Sequence, residues 1–344
     1  MIESLPISIG LFIVAAFVIA VVGVRMSRVC DRLADRTGWG EAVMGAVFLG
    51  GSTSLSGIVT SVTAAADGHA ELAISNAVGG IAAQTAFLAI ADIFYAKANL
   101  EHAAASIANL VQGTLLMTLL AIPMLAMSSP QVDLWGIHPA TIILITAYVM
   151  GLRLVSRSQE TRMWSPRQTK ETNIDEPDET AKNSSLTKLW LKFVCYAIIV
   201  AVAGFIIARA GVSLASLTGI SESVVGGLFT AITTSLPELV TTIAAVRQGA
   251  LSLGVGGVIG GNCFDLMLLA FSDVAYRQGS IYGAIANRQV FVMSLTILMT
   301  GVLLLGLLRR EKHGIGNIGF ESLLILLLYA SGVVMLLLPA GSSS

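Results

Sequence analysis

Two carboxylates lie in stretches of sequence otherwise suited to hydrocarbon. Glu238 sits inside the apolar segment 222–246 and Asp265 inside 251–275, and neither segment contains a Lys or Arg to neutralise it. An acid at the centre of a membrane helix costs about 2.5–3.5 kcal/mol on insertion scales, so its default reading is a proton or ion site. The competing reading is structural, with protonated acids hydrogen-bonded to nearby Ser or Thr. Thr234 and Ser235 precede Glu238 by one helical turn, and Asn262 precedes Asp265 by one turn. These are hard oxygen donors, which suit Na+, Ca2+, Mg2+ or H+. No deep His or Cys–His cluster accompanies them, which argues against a soft transition metal.

The scaffold that must hold these side chains is membrane-embedded. Of 344 residues, 55% are hydrophobic and only 12% are charged, with a mean hydropathy of +0.82. An ordinary soluble domain is about a quarter charged. A net charge of −1 supplies no field for nucleic acid. Cys30, Cys195 and Cys263 are too scattered for disulfides or zinc and read as small buried apolar residues.

Ten stretches are long and apolar enough to span a bilayer: 6–25, 41–65, 72–96, 103–127, 138–156, 189–209, 222–246, 251–275, 286–308 and 317–338. The first lacks a basic flank and a cleavage site, so it reads as a retained helix. The polar segment 157–188 carries both signs of charge and two prolines. It reads as a flexible connector between a five-helix part at 1–156 and another at 189–344. On a ten-helix alternation, all of the 20 Lys and Arg except Arg209, Arg277 and Arg288 fall on one side. The positive-inside rule then makes the connector cytoplasmic and turns both termini outward, in a multi-pass protein of the cell membrane.

The chain also repeats itself. Residues 51–95 align without a gap on 232–276, at an offset of 181. Thr53-Ser54-Leu55 meets Thr234-Ser235-Leu236, Gly79-Gly80 meets Gly260-Gly261, and Asp92 and Tyr95 meet Asp273 and Tyr276. Small residues are common wherever membrane helices touch, but shared composition alone would not keep these anchors in one register. Five spans per part is an odd number, so the expected fold is all-α, with ten transmembrane helices as two inverted five-helix repeats. Inverted repeats place a site near the midplane at interrupted helices. Pro237 supplies an interruption, because it removes an amide donor and frees a carbonyl one turn earlier.

The segments TTSLPELVTTIAAVRQGA and VGGVIGGNCFD closely resemble the second alpha repeat of the cation/calcium antiporter superfamily, the sodium/calcium exchangers. The family pattern there reads G-T-S-L-P-E, then G-S/G-N-x-F-D/N. The resemblance implies the 5+5 inverted architecture and an ion site lined by Thr234, Ser235, Glu238, Asn262 and Asp265, with Glu238 and Asp265 as the principal metal ligands. It also implies that the first and sixth spans slide past the core. The first repeat departs from the pattern. Gly57 stands where the family has a second glutamate, Ser56 replaces the proline, Ile81 replaces an Asn, and Gln84 stands where the family has Asn or Asp. Thr53 and Ser54 match as ligands, with Gln84 as a neutral oxygen. Two carboxylates balance one Ca2+, two Na+ or two H+, but Ca2+ affinity falls with the number of charged ligands.

The expectation is therefore a secondary active antiporter exchanging Ca2+ or another hard cation for Na+ or H+ by alternating access. Its partners are inorganic cations and the lipid bilayer, and it needs no cofactor. Two alternatives stay open: a proton- or monovalent-cation-coupled exchanger that does not carry Ca2+, and a non-transporting cation-sensing homologue. No nucleophile–base pair, phosphate loop or metal-hydrolase spacing marks an enzyme. Asp92 and Asp273 read as structural partners near helix ends. Asp67, His69 and Glu71 read as a solvated turn or an access lip. His102, His138 and His313 read as interface or loop residues.

Overall fold

Long apolar runs give helices, and polar interruptions decide where they break. The computed structural model describes residues 4–37, 50–95, 99–130, 132, 135–160, 185–248, 251–311 and 318–338. In chain order the helices are α1 (Leu5–Thr37), α2 (Gly50–Thr53), α3 (Leu55–Ala66), α4 (Ala70–Ile93), α5 (Leu100–Ala103), α6 (Ile107–Ser128) and α7 (Pro139–Glu160). They continue as α8 (Leu186–Thr218), α9 (Glu222–Thr234), α10 (Leu236–Gln248), α11 (Leu251–Asp265), α12 (Met267–Ala275), α13 (Asn287–Arg309) and α14 (Phe320–Leu337). The middle of α9, Val225–Thr230, is wound as a π-helix.

Among the described residues, seven single helices and the in-line pair α11–α12 are long and apolar enough to cross a bilayer, and α9 with α10, bent by 43°, makes a ninth span. The start of the expected span 41–65 lies outside the described residues. Its remainder forms α2 and the 12-residue α3. At 1.5 Å per residue α3 is about 18 Å long, short of the ~30 Å hydrocarbon layer. The expected connector also lies mostly outside the described residues, as does His313.

Several expected boundaries move. Both α1 and α8 are 33 residues long, reaching Thr37 and Thr218 rather than ending near 25 and 209. At the α1 end, Val29 and Leu33 bury against Leu189 of α8 and give the polar extension an apolar seam. The expected span 251–275 is interrupted at Leu266. Cys195 is exposed rather than buried; it shares the outer face of α8 with Val194, Ile198 and Val202.

The helix α4 and the pair α11–α12 form the centre. In their most apolar windows 94% and 83% of residues are buried, against 28% for α1 and for α8. Glycine permits this crowding: a Cβ on Gly79 of α4 would lie 2.3 Å from the backbone oxygen of Gly227 in α9. The long helices α1 and α8 pack along each other at the periphery.

Contacts recur in the register of the sequence repeat. Asp92 of α4 accepts the Leu100 N–H at 2.7 Å and the Gly319 N–H at 3.0 Å. Asp273 of α12 accepts the Ile281 N–H at 2.8 Å and the His138 N–H at 2.9 Å. Each of these positions has its counterpart at the repeat offset: 92 and 273, 100 and 281, 138 and 319. Ser322 and Thr141, equivalent in the same register, add hydroxyl bonds to Asp92 and Asp273 respectively. Both acids are thus structural fasteners, each tying the end of a central helix to the start of a distant one.

Candidate functional site

Two breaks in helices build the site. Ser54 separates α2 from α3 with φ −80° and ψ 2°, and Ser235 separates α9 from α10 with φ −94° and ψ 4°. Pro237 explains the second break, since the Thr233 carbonyl has no amide one turn on. The first break forms without a proline. There Ser56 stands at the equivalent position, and its hydroxyl donates to the Thr234 carbonyl at 3.1 Å. One break thereby donates to a carbonyl beside the other.

The central helix α4 lays a polar stripe along both breaks. Asn76, Gly80 and Gln84 recur every four residues and share a face. Gln84 Nε2 donates to Asp265 Oδ2 at 2.6 Å and to Ser235 Oγ at 3.1 Å. Ser54 Oγ donates to Asp265 Oδ1. Gly80 keeps the stripe open at its middle, because an added Cβ would touch Ser235 Oγ at 3.5 Å. Ser54, Gln84, Ser235 and Asp265 are thus joined directly, although Gln84 and Asp265 come from opposite halves of the chain.

Glu238 lies beside this group, within electrostatic reach of Asp265 and of the Thr53 hydroxyl. It is 6% exposed. Neither of its carboxyl oxygens receives a hydrogen bond of normal geometry among the described residues. Gln84 Oε1 and Asn262 Oδ1 are buried in the same condition. An unsatisfied buried acceptor costs about 1–3 kcal/mol, and more when charged. Four such oxygens on the helices around the two breaks are what a cation or a proton would satisfy. Among the described residues no three His, Cys, Asp or Glu side chains come together, so the donor set is two carboxylates with neutral oxygens.

Two expected site residues bond outside the Ser54–Gln84–Ser235–Asp265 group. Asn262 donates to Thr85 Oγ1 at 3.1 Å. Thr234 Oγ1 donates to the Ala231 carbonyl at 3.3 Å and reaches Asn76 Oδ1 at 3.5 Å. The sequence reading missed Asn76, Thr230, Ser56 and Ser61, all buried here. Its available signal was Asn76 itself, an amide two turns before Gln84 in an apolar run.

The outlying candidates are structural. Asp67 pairs with Arg209 at 2.8 Å, His69 Nδ1 lies 2.6 Å from Glu222 Oε1, and Glu71 accepts from Ser223. The turn between α3 and α4 is therefore fastened to α8 and α9 rather than simply solvated. His102 Nδ1 bonds the Arg310 carbonyl at 2.7 Å, and His138 Nδ1 accepts the Ala140 N–H at 3.1 Å.

Long apolar helices around a buried, broken-helix centre define an integral membrane protein with multiple spans. More specifically, the chain belongs to the sodium/calcium exchanger family. The family model described as "Sodium/calcium exchanger protein" matches twice, over residues 7–157 and 188–338. Inner membrane protein YrbG of Escherichia coli K12 is 31% identical over 150 residues, covering 43% of this chain and 46% of that protein. Sodium/calcium exchanger MaX1 of Methanosarcina acetivorans is 40% identical over 75 residues, covering 22% of this chain and 21% of that protein. The chain therefore spans less than half the length of these curated relatives. Two solved structures share the fold. The sodium-calcium exchanger NCX_Mj matches with a TM-score of 0.63 at 19% identity, covering 96% of this chain and 99% of that one. The H+/Ca2+ exchanger CAX matches with a TM-score of 0.69 at 14% identity, covering 97% and 82%.

Proposed function

We propose that this chain is a secondary antiporter in which Glu238 and Asp265 bind two kinds of cation in competition, exchanging Ca2+ or another hard cation for Na+ or H+. The observation that carries this reading is the Glu238 carboxyl, buried beside Asp265 and the Thr53 hydroxyl with neither oxygen in a hydrogen bond of normal geometry among the described residues. Thr53, Ser54, Gln84, Thr234, Ser235 and Asn262 complete the ion site. With ions bound, the pocket loses its net charge and the core reorients past α1 and α8. Without them, two carboxylates facing a closing dry cavity are costly, which enforces exchange.

The recurrence of contacts in the register of the repeat supports ten spans arranged as two inverted five-helix halves around a midplane site. The Lys and Arg distribution supports a cytoplasmic connector and outward termini in the cell membrane. The ions named for the relatives, Na+ and Ca2+ for NCX_Mj and H+ and Ca2+ for CAX, support the choice of cargo.

Purified protein in proteoliposomes with opposed cation gradients tests the proposal. Glu238→Gln is expected to abolish counterflux, and wild-type-like exchange by that variant would overturn the site. A second reading, exchange of monovalent cations or protons without Ca2+, is favoured by Gly57, which removes the third carboxylate. Flux that follows Na+ or pH gradients in Ca2+-free vesicles selects it, whereas binding without flux selects a sensor.

A further inference from the structure

Gly57 and Glu238 are equivalent positions of the two repeats, and so are Asn76 and Gly257. In the second repeat the polar side chain comes from the broken helix, as Glu238, and the counterpart of Asn76 on the long helix is the exposed Gly257. In the first repeat the sources are reversed: the broken helix contributes Gly57 and the long helix contributes Asn76. The space around Gly57 is bounded by three side chains, most tightly by Leu268. A Cβ there would lie 3.2 Å from Leu268 Cδ2, 3.8 Å from Thr234 Oγ1 and 4.0 Å from Asn76 Nδ2. At Gly257, by contrast, no heavy atom would come within 4 Å of an added Cβ.

The Asn76 amide spans both breaks. Its Nδ2 donates to Ser61 Oγ at 2.9 Å and to the Gly57 carbonyl at 3.4 Å, both on α3. Its Oδ1 faces the hydroxyls of Thr230 at 2.8 Å and Thr234 at 3.5 Å, both on α9. Each hydroxyl has one proton and a second acceptor in its own helix. For Thr230 this is the Gly226 carbonyl at 2.9 Å, and for Thr234 the Ala231 carbonyl at 3.3 Å. Turning both protons onto those carbonyls releases Asn76 Oδ1 and exposes two hydroxyl lone pairs, with no hydrogen bond lost from either threonine.

We propose that Asn76 is the neutral counterpart of Glu238: its Oδ1, with the Thr230 and Thr234 hydroxyls, forms an uncharged subsite that accepts a monovalent cation and disfavours Ca2+. The inference rests on the antiport reading of the same pocket and names its selectivity residue. An amide oxygen coordinates Na+ adequately, whereas Ca2+ affinity rises with each carboxylate in the ligand set.

The test is cation binding to purified protein in detergent by isothermal titration calorimetry with NaCl and CaCl2, which is independent of flux. Asn76→Asp is expected to raise Ca2+ affinity relative to Na+ by about tenfold or more. The double variant Gly57→Glu with Asn76→Gly, which moves the side chain to the broken helix, is expected to do the same. Gly57→Glu alone, with Asn76 still in its path, is expected to fall short of the double variant in Ca2+ affinity. If Asn76→Asp fails to fold, the comparison of the single and double Gly57 variants decides. An unchanged Ca2+:Na+ ratio in the folded variants, equal behaviour of the single and double variants, or a wild type that binds neither ion overturns the subsite. Loss of wild-type flux with the binding shifts intact sinks the antiport reading alone.

Discussion

Gly204 of α8 rests on Ser56 of α3 so closely that an added Cβ would stand 2.7 Å from the Ser56 carbonyl oxygen. Its counterpart is Gly23 of α1, where an added Cβ would stand 2.5 Å from Pro237 Cγ. Ser56 and Pro237 are themselves equivalent in the repeat, as are Gly23 and Gly204. Each long peripheral helix thus touches a helix break through a residue with no side chain. Gly204→Ala meets backbone, which cannot swing aside, so it is expected to destabilise the protein by about 1–3 kcal/mol and slow exchange. Gly10→Ala, where nothing lies within 4 Å, is the control. Equal thermal unfolding in detergent for the two variants would show the contact to be slack.

The two long helices are not held equally. Thr60 Oγ1 donates to the Gly204 carbonyl at 3.0 Å and ties α3 to α8. The equivalent Thr241 bonds within its own helix, to Pro237 O at 2.9 Å and Glu238 O at 3.1 Å. Thr60→Val removes a bond worth about 1 kcal/mol, a factor of about five in a two-state population. Turnover is expected to change by that factor while half-saturating cation concentrations stay constant. Initial-rate measurements across a concentration series check this, and an altered half-saturation would place Thr60 in the binding set instead.

Gln84 holds Asp265 through the 2.6 Å bond and contributes a neutral oxygen, but both carboxylates survive its removal. Gln84→Ala is therefore expected to weaken cation binding by about 10–100-fold, the usual loss when a supporting partner of a ligand is removed. Residual, saturable flux should remain, in contrast to Glu238→Gln. Complete loss in a folded Gln84→Ala protein would promote Gln84 to a principal ligand.

Asp273 accepts two backbone N–H groups and the Thr141 hydroxyl, and Asp92 is bonded in the same manner. Bonds to a charged acceptor are worth about 1.5–3 kcal/mol. Asp92→Asn and Asp273→Asn should each lower the unfolding temperature and leave the cation preference unchanged. A changed preference in either variant would assign that acid to the ion path.

The repeat and the two deep acids were legible in the sequence because both depend on residue type in a fixed register. Thr53, Ser54, Gln84 and Asp265 could be placed together because the resemblance to the exchanger repeat marks their positions, which the alignment of 51–95 on 232–276 carries between the halves. Asn76 was not legible. Its partner Gly257 is a glycine, so the alignment showed no shared feature there, and only packing reveals that the amide stands where Gly57 offers nothing. The length of α1 and α8 was also hidden, because a hydropathy pattern ends where lipid ends, whereas a helix ends where its last turn loses its contacts. The break at Ser54 carries no proline. It becomes visible only as the mirror of Ser235.

Asp92 binds an amide at residue 319, and Asp273 binds one at residue 138. Were the chain severed between residues 161 and 184, each fragment would hold an acid whose amide belongs to the other. Neither fragment could then complete its own final helix start, and co-expressed fragments would reassemble through the bonds that now lie within one molecule. Two copies of one repeat would form the same pair of bonds across a dimer axis. The interior of the present chain would then be an oligomer's interface enclosed in a single chain.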